Sequence, residues 1–304
     1  MTAWTARTAS PFGRALTAVI TPMHDDGSLD LAGLQKVISH LFDTGHDGVV
    51  VSGTTGESAT TSDEEQDLIL RAALEVVGDR GRVVAGVGTN DTAHTVHLAK
   101  QAAATGAHAL LAVTPYYNRP TQPGLLAHFT TVADATGLPV MLYDIPSRTG
   151  TPIATETLLR LAGHPHIAAV KDAKGDLWSA TKVLDQTDLL WFSGDDIATL
   201  AHLTQGATGY VGVATHVVGA EYAAMLAAVD AGDLPTAVGL HRRVIPIVDA
   251  IMHTSQGAIM AKAALKELGV IDSAAVRLPL VESPPEHLDK LRAALASLSA
   301  VPAT

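Results

Sequence analysis

The chain of 304 residues contains no cysteine. Disulfide bonds, zinc sites built from thiolates and a cysteine nucleophile are therefore all excluded. No apolar run approaches the roughly 18 residues that a membrane-spanning helix needs, so no transmembrane segment is predicted. The first stretch, MTAWTARTASPFGR, also lacks the apolar core of a secretory signal peptide. We therefore expect a loose N-terminal arm at residues 1–14 and a cytoplasmic location.

Positive charge is scarce as well. The chain has 20 Lys and Arg residues against 31 Asp and Glu residues, which gives a formal charge of −11. A protein this acidic is a poor partner for nucleic acid or for an anionic membrane surface. Hydrophobic residues nevertheless make up 47% of the chain and charged residues 17%. A chain of this length and composition can bury a full core without covalent cross-links.

Eight short runs rich in Val, Ile and Leu recur along the chain, each followed by a turn cluster and a stretch of helical periodicity. The runs lie at 15–21, 47–53, 82–88, 107–115, 139–146, 167–173, 189–196 and 207–214. Strands that alternate with helices indicate parallel βαβ units. Eight such units predict an α/β protein with a closed (β/α)8 TIM barrel.

An open, doubly wound sheet is the alternative architecture. It should carry a glycine-rich dinucleotide turn after the first strand, and TPMHDDGS is not one. The helix after the second run shows a capping box, with Ser62 followed by Glu65, and should end at Gly78. We expect the barrel to span residues 15–230 and additional helices to fill residues 231–304, where they would cap the barrel or meet another subunit.

Lys171 stands inside the sixth run, IAAVKDA, directly after four apolar residues. One interpretation is a buried lysine paired with a carboxylate, although Asp172 is poorly placed because neighbours on a strand point to opposite faces. The other is a nucleophile, since burial lowers the pKa of a lysine and a neutral amine forms an imine with a ketone or aldehyde. Lys174, past the strand end, is expected to be an ordinary solvated amine.

Further polar groups follow the predicted strands, on what would be the catalytic rim of a barrel. Tyr143, Tyr116 and Tyr117 could relay protons during imine formation, although packing of the rim explains such tyrosines equally well. The turn GTTGES at 53–58 offers backbone N–H groups to an anion such as a carboxylate. Arg148 is a bidentate donor for a second carboxylate or, alternatively, an ordinary surface arginine.

The motifs GTTGES, VTPYYNRP, LYDIPSRTG, VKDAKGD and SGDD occur in this order. Together they resemble the dihydrodipicolinate synthase / N-acetylneuraminate lyase family of class I aldolases, from about residue 15 to the C-terminal helices. YDIPSR and KDAKGD look like the actinobacterial form. The resemblance implies a lyase that condenses pyruvate with L-aspartate 4-semialdehyde in lysine and diaminopimelate biosynthesis. It also implies no cofactor beyond the covalent imine, and a homotetramer or at least a dimer.

The same resemblance implies the catalytic roles. Lys171 would form the Schiff base with pyruvate. Tyr143 would shuttle protons, linked through Thr54 to Tyr117, which in this family reaches in from a neighbouring subunit.

The resemblance implies four substrate-binding residues as well. Thr55 and backbone N–H groups of the turn would hold the carboxylate of pyruvate, and Arg148 would bind the carboxylate of the aldehyde. Gly194 and Val211 match the family's backbone contacts near the lysine.

The sequence departs from the family at the site where some members bind the inhibitor L-lysine. Sensitive members have two histidines and a glutamate at the places of Asp63, Gln66 and His94. The positions that do match are Asn90, Ser58 and Tyr116. We therefore predict weak or absent inhibition by L-lysine, unless other side chains build a different site.

Fourteen histidines raise the question of a metal. His94 and His97 lie three residues apart, and His164 and His166 flank a proline, but neither pair has a third ligand at a recognisable spacing. No metal site is predicted.

Two other activities remain open. A lyase for sialic acid or 2-keto-3-deoxy sugar acids would need residues that form hydrogen bonds with the substrate's hydroxyl groups. Arg148 instead favours a short substrate that ends in a carboxylate. A non-catalytic ligand-binding homologue would be expected to have lost a reactive residue.

Overall fold

The computed structural model describes residues 10–299. Residues 1–9 of the expected N-terminal arm, like residues 300–304, lie outside the described residues. The strands are β1 (Ala15–Ala18), β2 (Gly48–Val51), β3 (Arg82–Gly86), β4 (Ala109–Val113), β5 (Val140–Asp144), β6 (Ile167–Asp172), β7 (Leu190–Ser193) and β8 (Gly209–Gly212). Each strand pairs with its sequence neighbours and β8 pairs with β1, all in parallel, so the sheet closes into a barrel.

Helices surround the barrel and extend beyond it. They are α1 (Leu31–Asp43), α2 (Asp63–Val77), α3 (Thr92–Thr105), α4 (Gln122–Asp134), α5 (Pro146–Thr149), α6 (Thr155–Leu161), α7 (Leu177–Gln186), α8 (Thr199–Thr204), α9 (Thr215–Asp230), α10 (Leu234–Arg243), α11 (Ile245–Val248), α12 (Gly257–Glu267) and α13 (Pro285–Ser299). A π-helical turn at Asp249–His253 follows α11.

The alternation of side chains along β6 decides which of its polar residues enters the barrel. Ala169 belongs to the apolar cluster of the barrel interior, whereas Val170 packs in the layer between the sheet and the helices. Because side chains alternate along a strand, Lys171 faces the interior and Asp172 faces outward. An interior lysine is therefore a direct consequence of the register of this strand.

The barrel interior is filled with side chains rather than open from end to end. Phe12, which precedes β1, meets Phe192 of β7 edge to face with ring centroids 6.0 Å apart. Phe12 also lies against the start of β2, since its carbonyl oxygen would be only 2.5 Å from a Cβ added at Gly48. This packing fills the amino end of the barrel interior.

The helices after β8 form part of the same core. Helix α9 occupies the place of the eighth barrel helix, and α10 and α12 pack against it. All residues from Gly257 to Leu265 of α12 are buried. The apolar surface of α12 is therefore covered within the described part of a single chain.

The sequence-based expectations for the fold hold with small changes at the boundaries. All eight strands are confirmed, each one to four residues shorter than its apolar run. The capping box of α2 is confirmed, because Ser62 and Glu65 each bond to the backbone N–H of the other, and the helix stops before Gly78. The division at residues 230 and 231 stays a prediction. In the part of the chain that the structure describes, no helix is long and apolar enough to cross a membrane.

Truncation of a buried ring tests the packing between sheet and helices. Phe129 of α4 is fully buried, so Phe129→Ala should leave a cavity and lower the free energy of unfolding by about 3–5 kcal/mol. Denaturant unfolding at one fixed protein concentration measures the loss. Leu234→Ala, at a side chain that is 48% exposed, is the matched control and should change it by less than about 0.5 kcal/mol. Equal losses for the two variants would contradict the described packing.

Candidate active site

A cavity of about 310 Å³ opens at the carboxyl end of the barrel, where the active sites of such barrels lie. Thr54, Tyr143 and Arg148, three of the predicted site residues, line it. The apolar part of the lining is Ala59, Leu111, Val113, Ile145, Pro279 and Leu280. The cavity thus combines a hydrophobic wall with a few hydroxyl groups and the guanidinium of Arg148, and Glu57 and Gln256 also border it.

Lys171 lies next to this cavity, with Tyr143 between them. Lys171 is directly opposite Tyr143 in the pairing of β5 with β6, and its Nζ is 4.2 Å from the centroid of the Tyr143 ring. The Lys171 side chain is not itself part of the cavity lining, and the residue is only 4% exposed. Any ligand that reaches Lys171 must therefore pass the phenol of Tyr143.

The surroundings of Lys171 favour a reactive amine over a charge-paired one. Burial lowers the pKa of Lys171 to about 8, the carboxylate of Asp196 opposes this shift, and the positive charge of Arg148 adds to it. Within residues 10–299, none of the ion pairs closer than 4.0 Å involves Lys171. At pH 7 about a tenth of the amine is neutral if its pKa is 8, against less than about 0.1% for an ordinary lysine.

Asp172 does not pair with Lys171, because its side chain points out of the barrel. Its Oδ1 accepts hydrogen bonds from the backbone N–H groups of Lys174 and Gly175, at 2.7 Å and 3.3 Å. Its Oδ2 faces the buried ring of His202 at 3.8 Å. This carboxylate therefore shapes the loop after β6 from outside the barrel.

The expectation of a solvated Lys174 is wrong. Its Nζ lies 3.3 Å from Oδ2 of the buried Asp144, and its side chain is only 14% exposed. The amine also contacts the carbonyl oxygen of Ile153 at 3.4 Å. The loop after β6 thus folds back against β5 and the segment before α6, so this lysine is the charge-paired one of the two.

Tyr143 carries a phenol that stays protonated at neutral pH. Burial raises the pKa of Tyr143 to about 12, whereas Arg148 and a side-chain hydrogen bond with Thr54 lower it. Thr54 therefore lies near the phenol, and the relay through Thr54 stays a prediction. A protonated phenol beside a neutral amine can donate a proton to a departing hydroxyl group and take one back.

The turn at 53–58 uses some of its backbone N–H groups internally. Those of Gly56 and Ser58 both donate to the carbonyl oxygen of Gly53, which the sequence analysis did not anticipate. The N–H of Glu57 donates to the carbonyl oxygen of Thr54, whereas those of Gly53, Thr54 and Thr55 donate no hydrogen bond within the described chain. Three donors of the turn thus remain for a carboxylate. Thr55 itself is buried and does not line the cavity.

Gly194 approaches Lys171 as closely as the family resemblance implies. A Cβ added at Gly194 would lie 2.8 Å from Cγ of Lys171, which no side chain can tolerate without displacing the lysine. Val211 of β8 is fully buried in the interior cluster that also contains Tyr143. Gly194 is thus in contact with the lysine, whereas Val211 contributes to the floor beneath it.

Arg148 and Tyr117 occupy the outer part of the site. Arg148 is exposed on α5 and forms none of the ion pairs within residues 10–299, so its guanidinium is available to an anionic ligand. Tyr117 is 90% exposed and has a backbone φ of 72°. It does not line the cavity of its own chain, whereas the preceding Tyr116 does.

Asp196 is a buried carboxyl group that acts on the pKa of Lys171 and that the sequence analysis did not single out. Its Oδ1 accepts hydrogen bonds of 3.1 Å from the N–H groups of both Val213 and Ala214. Burial raises its pKa to about 6. The second aspartate of SGDD at a strand end was the available signal. Gln256, Pro279 and Leu280 also line the cavity, and no sequence motif marked them.

The histidine pairs do not assemble a metal site. His94 Nε2 contacts Asp63 Oδ1 at 3.0 Å and His97 lies 3.6 Å from the other oxygen, all on the surface. No group of three or more metal-ligating side chains with suitable geometry occurs among residues 10–299.

A buried amine of lowered pKa, at the open carboxyl end of a parallel eight-stranded barrel and beside a protonated phenol, defines a barrel of the Schiff-base-forming class. Comparison with known proteins agrees with this class. Residues 11–298 match the dihydrodipicolinate synthetase family. The chain belongs to that family.

Individual relatives cover nearly the whole chain. A curated 4-hydroxy-tetrahydrodipicolinate synthase of Kineococcus radiotolerans is 57% identical over 99% of this chain and 98% of its own length. The dihydrodipicolinate synthase of Acinetobacter baumannii, solved with pyruvate, is 33% identical with a TM-score of 0.91, covering 95% of this chain and all of that one. A structure described as the first monomeric dihydrodipicolinate synthase variant is 32% identical with a TM-score of 0.92, covering 96% and 98%.

The lowered pKa of Lys171 predicts the pH dependence of imine formation. Only the neutral amine attacks a carbonyl carbon, and the amine loses its proton as pH rises. Trapping of pyruvate by borohydride, measured as an initial rate by intact mass, should therefore rise about tenfold per pH unit below pH 8 and level off above it. Arg148→Gln removes a charge that lowers the pKa of Lys171, so its inflection should move to higher pH. An inflection near 10.5 in the unaltered protein would contradict the described burial.

Proposed function

We propose that this chain acts as a 4-hydroxy-tetrahydrodipicolinate synthase, which condenses pyruvate with L-aspartate 4-semialdehyde through an imine on Lys171. The observation that carries the proposal is the buried, unpaired amine of Lys171 against the ring of Tyr143. Relatives of that name at 57% identity over nearly the full chain support it. The proposed reaction needs no metal or other cofactor, and a place in cytoplasmic lysine biosynthesis follows from it.

The proposed first half-reaction activates pyruvate. The neutral amine of Lys171 adds to the keto carbon, and the resulting carbinolamine loses its hydroxyl group as water. Tyr143 supplies the proton for that water, which its high pKa makes possible. The iminium then draws electrons from the methyl group, and the phenolate of Tyr143 takes a methyl proton, which leaves a carbon nucleophile and restores the phenol. Thr54 is assigned the link between this phenol and Tyr117 of a neighbouring subunit.

The proposed pyruvate site uses the turn that carries Thr54. The N–H groups of Thr54 and Thr55 remain available to a carboxylate, and the hydroxyl group of Thr55 is assigned to the same anion. Gly194 lies directly against the lysine and Val211 is part of the barrel interior, and we assign both to the pyruvate site.

The proposed acceptor is short and anionic. Arg148 lies at the cavity without an ion pair of its own, and a guanidinium binds a carboxylate in a bidentate manner. Much of the remaining wall is apolar, which offers few partners to a polyhydroxylated chain. These features favour L-aspartate 4-semialdehyde over the sugar acids of the alternative lyases.

The proposed catalytic unit contains more than one chain. Tyr117 is 90% exposed with its backbone in the left-handed region, a strained conformation for a large side chain. A tyrosine presented in this way can complete the Thr54–Tyr143 relay of a neighbouring subunit. We therefore propose at least a dimer, and a homotetramer as the complete assembly.

Covalent trapping tests the proposal. Mixing the protein with pyruvate and borohydride should attach one pyruvyl group, which peptide mapping should place on Lys171. Lys171→Ala should abolish the adduct and reduce condensation by orders of magnitude, while Lys174→Ala is the control that should keep the adduct. The product formed with L-aspartate 4-semialdehyde, compared with cleavage of sialic acid, identifies the acceptor.

The outcomes separate the candidate functions. An adduct on Lys171 without condensation would favour an alternative lyase. No adduct on folded protein at excess pyruvate would remove both aldolase functions and favour a ligand-binding role.

Inhibition by L-lysine should be weak or absent. Two of the three residues that depart from the sensitive pattern contact each other, since His94 Nε2 lies 3.0 Å from Asp63 Oδ1. The third, Gln66, donates to the carbonyl oxygen of Ser58 at 3.3 Å. All three side chains are thus engaged in contacts within the chain rather than arranged around an amino acid. Steady-state assays with added L-lysine should show no inhibition in the micromolar range, and inhibition there would contradict the prediction.

A further inference from the structure

We infer that Lys262 of α12 is a positioning residue for the turn at 53–58, acting through Glu57. The inference rests on the proposed function, because it concerns how the pyruvate-binding turn is held. Lys262 and Glu57 are 205 residues apart in the sequence. Neither residue lies among the groups assigned above to catalysis or substrate binding.

Lys262 and Glu57 form the most deeply buried ion pair of the described chain. Nζ of Lys262 donates to Oε1 of Glu57 at 2.5 Å and to the carbonyl oxygen of Ala275 at 2.6 Å. The two side chains are 0% and 1% exposed. Burial lowers the pKa of Lys262, and the hydrogen bond and charge of Glu57 oppose that shift. Such a pair keeps a single geometry, because water cannot replace either partner.

Glu57 is the residue at which the turn is strained. Its φ is 56°, and Ser52, on the other side of the turn, has a φ of 52°. Left-handed conformations of residues other than glycine persist only where the surrounding structure fixes them. Between these two residues lie Thr54 and Thr55, whose hydroxyl and N–H groups form the proposed pyruvate site. The Lys262 contact therefore fixes one end of the segment that carries those groups.

The second carboxylate oxygen of Glu57 is also bound by a residue of the C-terminal region. Oε2 accepts a hydrogen bond of 3.0 Å from the backbone N–H of Arg277. The guanidinium of Arg277 binds both carboxylate oxygens of Glu65 and the carbonyl oxygen of Thr60. The chain that leaves Arg277 then places Pro279 and Leu280 on the cavity wall. Glu57 thus joins the turn to the segment that forms the opposite wall.

The chemistry of this arrangement predicts how each substitution acts. Lys262→Met leaves the Glu57 carboxylate without its main donor inside the core. Glu57→Gln is nearly isosteric, but both carboxylate oxygens accept hydrogen bonds, and the NH2 group of an amide must face one of those donors. Both changes should let the turn shift, and a displacement of about 1 Å in a positioning group costs up to about 100-fold.

The experiment measures the pyruvate concentration that gives half-maximal borohydride trapping on Lys171. Lys262→Met and Glu57→Gln should each raise this concentration by roughly tenfold or more. Lys266→Met is the matched control, since it makes the same change at an exposed position of the same helix, and it should leave the value within about twofold. Thermal unfolding of each variant gives the folded fraction.

The half-saturating concentration separates positioning from stability. A purely structural role would lower the thermal midpoint and the amount of trapped protein, but folded molecules would still saturate at the original concentration. An unchanged value in both variants, with a normal adduct in the unaltered protein, would overturn this inference alone. Should Lys262→Met fail to fold, Glu57→Gln decides the question. Absence of any adduct in the unaltered protein would overturn the proposed function first.

Discussion

An ammonium group enclosed by protein loses the water that stabilises its charge. This desolvation of Lys171 is the physical effect on which the rest of the site depends. The closed barrel supplies the enclosure, because β5, β6 and β7 pair on both sides of the lysine and Phe12 fills the far end. The burial lowers the pKa of Lys171 to about 8. The charge of Asp196 works in the opposite direction and limits how far the pKa of Lys171 falls. Burial also raises the pKa of Tyr143. One physical cause therefore places a partly neutral amine, Lys171, beside a protonated phenol, Tyr143.

The position of Lys171 could be predicted from the sequence because it depends only on local periodicity. Four apolar residues precede it, the strand alternates, and a buried strand end in a barrel points to the catalytic rim. Thr54, Tyr143 and Arg148 were predictable for the same reason, since each lies at or just after a strand end. The ion pairing of Lys174 was not predictable in this way. Its partner Asp144 is on another strand. Local periodicity predicts neither the register between strands nor the path of the loop.

The C-terminal helices show the same limit more strongly. Their helical pattern is clear in the sequence, but the residues that connect them to the site are single side chains far away along the chain. In the sequence, Lys262 is one polar residue in an apolar helix, and only the fold places it beside Glu57. Leu280 likewise belongs to a loop in the sequence, and only the fold places it on the cavity wall. The region beyond β8 is therefore part of the candidate site, although no motif in it indicates chemistry.

Two buried lysines with opposite roles clarify what makes an amine reactive in this fold. Lys262 contacts a carboxylate and a backbone carbonyl, so its charge is matched and its position is fixed. Lys171 is buried to a similar degree, but it faces an aromatic ring, and the carboxylate that acts on it is beyond ion-pair distance. Burial alone cannot therefore identify the nucleophile. The distinguishing property is a desolvated amine without a paired carboxylate, placed where a cavity brings a carbonyl group to it, and within the described chain Lys171 combines these properties.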